Sequence, residues 1–189
     1  MIQAIRVRVV VLAALCGLLA APGVVSARDW TARDVTQHLF QSESGARPDL
    51  SGETLSRLDL AGLDFKKATL SKANLFGADL SEANLTGSNL SGANLDRVTL
   101  TATRFDGANL DGASLLRPSA FSTLAATSAE APSFAGSSLR GIKMFGRFSR
   151  ASFANADLTD ASCAPFGKTG FIEEIFRTEF AGANMQGAI

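Results

Sequence analysis

The chain has 189 residues, with 18 Lys+Arg against 18 Asp+Glu, one His, two Cys, one Trp, no Tyr and 13 Phe. That length fits a single domain. Zero formal charge argues against a nucleic-acid partner, whose phosphates need an excess of Lys and Arg, and one His with two Cys cannot furnish a His/Cys zinc site.

Residues 1–27 read as a secretory signal peptide rather than as part of the fold. Arg6 and Arg8 form a positive leader, Val9 to Ala21 is an apolar or small-residue run, Pro22-Gly23 breaks it, and Val25-Ser26-Ala27 fits a small-x-small cleavage site. The expected cut follows Ala27, and a periplasmic or secreted location is expected. The run is shorter than the roughly 20 residues that span a bilayer, so no stable membrane insertion is expected after cleavage. A lipoprotein reading through Cys16 is disfavoured by Leu15, where a small residue is expected. Cleavage removes two Arg and no acid, leaving 16 Lys+Arg against 18 Asp+Glu. It leaves one cysteine, Cys163, so no internal disulfide can form.

Residues 28–47 are expected to hold a short N-terminal capping helix and a linker. Thr31 suits the N-cap, Asp34 stands where a capping-box acid belongs, and Trp30 and Val35 occupy the flanking staple positions. Trp30, Val35, Leu39 and Phe40 are expected to share one buried side, with the helix ending near Gln41. His38 falls inside it. With no second His or Cys beside it, the expectation for His38 is surface rather than catalysis or metal ligation.

A five-residue repeat organises the rest, over 48–189. From Pro48 to Arg117 the chain divides into fourteen units of five without a slip. The third residue of each is Leu or Phe, the first is mostly Ala or Ser, the second mostly Asp, Asn, Thr or Ser, and the fifth often Gly. Apolar positions five apart would sweep about 140° around an α-helix each time, so no helical face results. A flat strand needs period two. First and third residues of a unit can nevertheless face the same way if the chain bends before the next unit, and glycine at the fifth position suits such a bend.

Ala73-Asn74-Leu75, Ala78-Asp79-Leu80, Ala83-Asn84-Leu85 and Ala93-Asn94-Leu95 resemble the A(D/N)LXX signature of pentapeptide repeat proteins. The resemblance implies an all-β fold, a right-handed quadrilateral β-helix with four units per coil. It also implies that dimerisation through one rod end recurs, so a homodimer through the C-terminal coil is an expectation here. The repeat is regular over 48–117 and irregular over 118–189. Pro118–Phe121 is four residues long. Units centred on Leu124, Ala129, Phe134 and Leu139 follow, although 118–131 can equally be a loop bulging from one corner. Ile142–Phe145 is again one short. Units centred on Phe148, Phe153, Leu158 and Cys163 precede an insertion near 166–172, and units centred on Ile175, Phe180 and Met185 close the chain.

Chemistry is sparse in this sequence, and no catalytic, cofactor-binding or metal residues are assigned. Gly167-Lys168-Thr169 resembles the end of a P-loop, but Ser162 stands where that motif needs Gly. Asp59, Asp64, Asp79, Asp106 and Asp111 belong to the second and fourth repeat positions, expected to face solvent. Cys163 stands where Leu or Phe usually does and reads as a small buried hydrophobe. Positions twenty apart should stack, which gathers Arg57, Phe76, Arg97 and Arg117, with Leu116 and a single acid, Asp96, on one face. The next face collects Asp59, Asp79 and Glu82. The first face is the expected partner surface, because exposed Phe and Arg are enriched in contacts.

The functional expectation is an exported, non-catalytic protein-interaction or scaffold module of the cell envelope, with a protein or envelope component as partner. The alternatives are a purely structural envelope protein, or a DNA mimic that binds topoisomerase. The last role exists in the family but needs an acidic rod in the cytoplasm.

Overall fold

A computed structural model describes residues 29–42, 46–120, 127–163 and 186. The expected signal peptide, the insertion near 166–172, Gly167-Lys168-Thr169 and the units centred on Leu124, Ile175, Phe180 and Met185 lie outside the described residues.

Parallel bridges join Asp49 to Thr69, Thr54 to Asn74, Asp59 to Asp79 and Asp64 to Asn84, and the same step repeats to Thr99 and Ser119. Every one spans twenty residues, so four five-residue units make one turn of a parallel β-helix. Backbone bonds run from coil to coil, as from Leu50 N–H to Thr69 O at 2.8 Å and from Asn74 N–H to Glu53 O at 2.9 Å. The longest paired segments are β1 (Ser114–Leu116) and β2 (Lys143–Phe145), parallel and in register, with Leu115 opposite Met144.

The third-position residues stack in four interior columns, which name the four sides. Side one carries Leu50, Leu70, Leu90, Leu110 and Leu139. Side two carries Leu55, Leu75, Leu95, Leu115 and Met144. Side three has Leu60, Leu80, Leu100, Ala120 and Phe148, and side four has Phe65, Leu85, Phe105, Phe134 and Phe153. All are buried. On side four, Phe134 stacks on Phe105 at 5.0 Å and on Phe153 at 4.9 Å between ring centroids, close to the roughly 4.8 Å between paired strands. First-position Ala68, Ala73, Ala78, Ala83, Ala93, Ala108 and Ala113 fill the space between columns.

Each corner is a β-turn in which the first residue of a unit donates to the third of the one before, as Ala73 N–H does to Leu70 O at 3.0 Å. The fifth residue has positive φ. Glycine adopts it freely, but Arg57, Lys72, Glu82, Arg97 and Ala102 hold it too, at 54° to 60°. For an L-residue that conformation costs about 1–2 kcal/mol, so the coil pairing imposes it.

After Thr99 the repeat step changes. Arg104 pairs with Ser133, Asn109 with Ser138 and Ser114 with Lys143, each twenty-nine residues apart. Ser119 pairs with Thr99 in the coil, and the pairing is taken up again at Glu130, whose carbonyl accepts from Ala102 N–H at 2.7 Å. Ala129, expected at a unit centre, is instead exposed. The chain there is rich in Ala, Ser and Thr and has no large apolar residue at 129 to hold an interior place. The next steps shorten to nineteen, from Ser133 to Ser152 and from Lys143 to Ser162, because 142–145 is one residue short. Gly146 packs closely against the preceding coil. A Cβ there would stand 2.8 Å from Pro118 Cδ.

At the N-terminal end, α1 (Ala32–Gln41) carries the expected capping box. Thr31 Oγ1 accepts from Asp34 N–H at 3.2 Å and Asp34 Oδ2 accepts from Thr31 N–H at 3.0 Å. Val35, Leu39 and Trp30 join the same buried cluster as the first coil. Phe40 does not; it is 82% exposed. Positions 35 and 39 lie one turn apart on one face, while position 40 is rotated about 100° from 39. Side-chain bonds tie this segment to the coil, among them Trp30 Nε1–H donating to Glu53 Oε2 at 2.8 Å and Lys66 Nζ to Leu39 O at 2.8 Å. The first coil has Pro48, Glu53, Leu58 and Leu63 at the first position, where later coils hold mostly Ala or Ser. Leu58 and Leu63 are half-buried against the core cluster.

Candidate partner-binding face

Many of the described acids accept hydrogen bonds from the backbone. At the second position, Asp or Asn Oδ1 accepts the N–H two residues on: Asp59 from Ala61 at 3.2 Å, Asp64 from Lys66 at 2.9 Å, Asn74 from Phe76 at 3.1 Å, Asp79 from Ser81 at 2.9 Å. The side chain thereby satisfies a donor just before each corner, the Asx-turn geometry.

A second arrangement crosses between coils. At second-position Ser114, Ser133 and Ser138 an Asp at the fourth position of the preceding coil supplies the acceptor instead. Asp96 Oδ1 accepts from Ser114 Oγ at 2.7 Å and from Leu116 N–H at 2.9 Å. Asp106 likewise accepts from Ser133 Oγ and from Ala135 N–H at 3.2 Å. Asp111 accepts from Ser138 Oγ and from Arg140 N–H at 3.1 Å, and pairs with the Arg140 guanidinium at 3.0 Å. Burial pushes the Asp111 carboxyl up, but the Ser138 hydroxyl and the Arg140 bonds outweigh it and leave its pKa below the ordinary value. The fourth-position acids expected to face solvent are thus half-buried links between coils. Their signal in the sequence is Asp eighteen residues before a second-position Ser, stretched to twenty-seven across the insertion.

His38 stands edge-on to the Trp30 indole at 5.6 Å and is half-buried rather than on the open surface. Cys163 sits half-buried in the side-two column after Met144, and burial raises its thiol pKa, which lowers the fraction of reactive thiolate. Among the described residues no group of three His, Cys, Asp or Glu is arranged to hold a metal ion. No described helix is long and apolar enough to cross a membrane.

Side two brings together the residues grouped by their spacing. Arg57, Gly77, Arg97 and Arg117 follow one another at the fifth position, and Phe76, Asp96 and Leu116 at the fourth. Arg57 N–H donates to Phe76 O at 2.9 Å and Arg97 N–H to Leu116 O at 2.8 Å. The three Arg are exposed, but Phe76 and Leu116 are half-buried. Phe76 is therefore not the bare aromatic that an adjacent glycine suggested. The Arg97 guanidinium carbon lies 5.8 Å from its ring centroid, and the Arg57 stem passes over Gly77, with Cγ 3.6 Å from where a Cβ would stand. Neither Arg57 nor Arg97 has a carboxylate partner among the described residues.

The twenty-residue step with this Asx pattern agrees with comparison to known sequences. Residues 49–81 and 78–115 match the model for pentapeptide repeats, in eight copies. Residues 49–115 belong to the pentapeptide repeat family. Solved structures similar to this chain include HetL, a pentapeptide repeat protein involved in heterocyst differentiation regulation from the cyanobacterium Nostoc sp. strain PCC 7120. It is 27% identical over 74% of this chain and 62% of that one, with a TM-score of 0.45. A pentapeptide repeat protein from the Arabidopsis thaliana thylakoid lumen is 27% identical over 64% of this chain and 66% of that one, TM-score 0.27. Rfr23 from the cyanobacterium Cyanothece 51142 is 23% identical over 79% of this chain and 69% of that one, TM-score 0.26. This chain thus covers 62% and 66% of the lengths of the first two. Comparison with curated proteins gave no match.

Proposed function

We propose that this pentapeptide repeat protein is an exported, non-catalytic interaction module of the cell envelope that engages a protein or envelope component through side two. The observation that carries the reading is the filled coil. Its four columns bury their Leu, Phe and Met side chains against one another, so binding falls to the outer faces. The bonding of Asp59, Asp64, Asp79, Asp106 and Asp111 to nearby backbone N–H groups supports a structural rather than catalytic role for them. Side two combines Arg57, Arg97 and Arg117 with half-buried Phe76 and Leu116, the mix that interfaces favour. The helix α1, with Val35 and Leu39 in the core cluster, closes the N-terminal end of the rod, which a stacked coil requires. The order of Arg6, Arg8, the apolar run and Val25-Ser26-Ala27 supports export.

Crosslinking in intact cells, followed by identification of captured proteins, tests the reading. A Phe76→Ser, Arg97→Ser variant that folds normally is expected to lose partners that the wild type captures; full retention would make side two ordinary surface. N-terminal sequencing of envelope-fraction protein is expected to begin Arg28-Asp29-Trp30. An intact Met1 on cytoplasmic protein would overturn the export reading.

A further inference from the structure

Resting on the reading of side two as the partner face, we propose that its ligand is an extended acidic peptide, with carboxylates spaced by apolar residues, clamped by Arg57 and Arg97. Both guanidinium groups are exposed and lack a carboxylate partner among the described residues. Both stems are also held. The Arg97 guanidinium carbon lies over the Phe76 ring, 5.8 Å from its centroid, and the side chain remains exposed, so its donors can reach a carboxylate. Arg57 lies across Gly77. Ordering these long side chains before the ligand arrives removes part of the entropy cost of binding.

The spacing specifies the ligand further. Arg57 and Arg97 are two coils apart, about 9.6 Å along the rod at the strand-pairing repeat. Phe76 lies on the coil between them and Leu116 on the coil beyond. An extended peptide running along the rod presents alternate side chains to it at about 6.7 Å intervals. A pattern of acid, apolar, acid at every second residue places its apolar residue over Phe76 and its two acids about 13.4 Å apart, against about 9.6 Å between Arg57 and Arg97. The difference of about 4 Å is shared between the guanidinium ends, since only the stem of Arg57, at Cγ, lies against Gly77. A nucleic acid fits less well. Asp96 lies within the face, Asp59, Asp79 and Glu82 line the next one, and the chain's formal charge is zero. A phosphate at every step would meet these acids, whereas spaced carboxylates avoid them.

The probe is a fluorescein-labelled peptide of sequence Glu-Ser-Val-Ser-Glu-Ser-Leu, followed by fluorescence anisotropy with the purified protein. Its Gln-for-Glu counterpart and a labelled oligothymidylate are the comparisons. The acidic peptide is expected to bind, with affinity falling about tenfold in Arg57→Ser, Arg97→Ser. Affinity should change less than about twofold in Lys67→Ser, Lys72→Ser, which removes equal charge at other corners. Circular dichroism and Trp30 fluorescence establish that the variants fold. Equal losses in both double variants, equal binding of the Gln peptide, or tighter binding of oligothymidylate would each overturn the proposal. Failure of the acidic peptide to bind would also overturn it. If crosslinked partners were still lost from Phe76→Ser, Arg97→Ser, side two would stand as a partner face for a different chemistry; if they were retained, both readings would fall.

Discussion

Asp96→Ala removes the acceptor for two hydrogen bonds that join consecutive coils on side two, Ser114 Oγ at 2.7 Å and Leu116 N–H at 2.9 Å. Hydrogen bonds to a charged group contribute about 1.5–3 kcal/mol each when shielded. These are only part-buried, so a total of about 2 kcal/mol is expected, most of it from leaving the Leu116 N–H without its acceptor. In a chain of this size that corresponds to roughly 4–8 °C in Tm. The decisive feature is rescue. Asn94 caps the Asp96 N–H at 3.0 Å from its own second position, so Ser114→Asn, at the equivalent position one coil on, should supply the same bond to Leu116. The double variant Asp96→Ala, Ser114→Asn is expected to regain at least about half of the lost stability, a coupling that a double-mutant cycle isolates. Stacked coils can unfold locally, so hydrogen exchange at the Leu116 amide should accompany urea melts. Protection should fall in the single variant and return in the double. If Ser114→Asn leaves that amide exchanging as fast as in Asp96→Ala alone, the substitution of one cap by the other is wrong.

Leu85→Ala empties a fully buried side-four position and should cost about 2–5 kcal/mol, whereas exposed Glu82→Ala should stay within about 0.5 kcal/mol; equal costs in denaturant melts would invalidate the inside and outside assignment. Ala102 holds φ at 54° with its N–H bonded to Glu130 O at 2.7 Å, so Ala102→Gly relieves strain and keeps the bond. It should raise stability by up to about 1 kcal/mol after the entropy of glycine is set against the gain, and a lower melting temperature would count against a strained corner. The folded-state pKa of Asp111 is depressed, so its contribution is present above the unfolded carboxylate pKa and disappears as pH falls through the lower folded value. Wild type should therefore lose more stability on acidification through that range than Asp111→Asn does; parallel pH profiles would refute the linkage.

The coil was legible because its period is local and repeated. Fourteen units from Pro48 to Arg117 state the interior column and the corner in every five residues, and the grouping of Arg57, Phe76, Arg97 and Arg117 follows from the twenty-residue turn alone. The capping box at Thr31 and Asp34 was legible for the same reason, since its partners are three residues apart. Other features depend on neighbours far along the chain. Where the coil is taken up again after Ala120 is decided by Arg104 pairing with Ser133 rather than with the residue twenty on. Phe40 and Trp30 have similar hydrophobicity, yet only Trp30 is drawn into the core. Asp96 belongs to one coil and caps the next, and no local pattern distinguishes it from a solvated acid. Phe76 is half-buried, with Arg97, twenty-one residues away in sequence, placed over its ring. Local chemistry sets which way each side chain faces when the bend repeats. What then covers that side chain is set by the coil above or below, and only the stacked structure determines it.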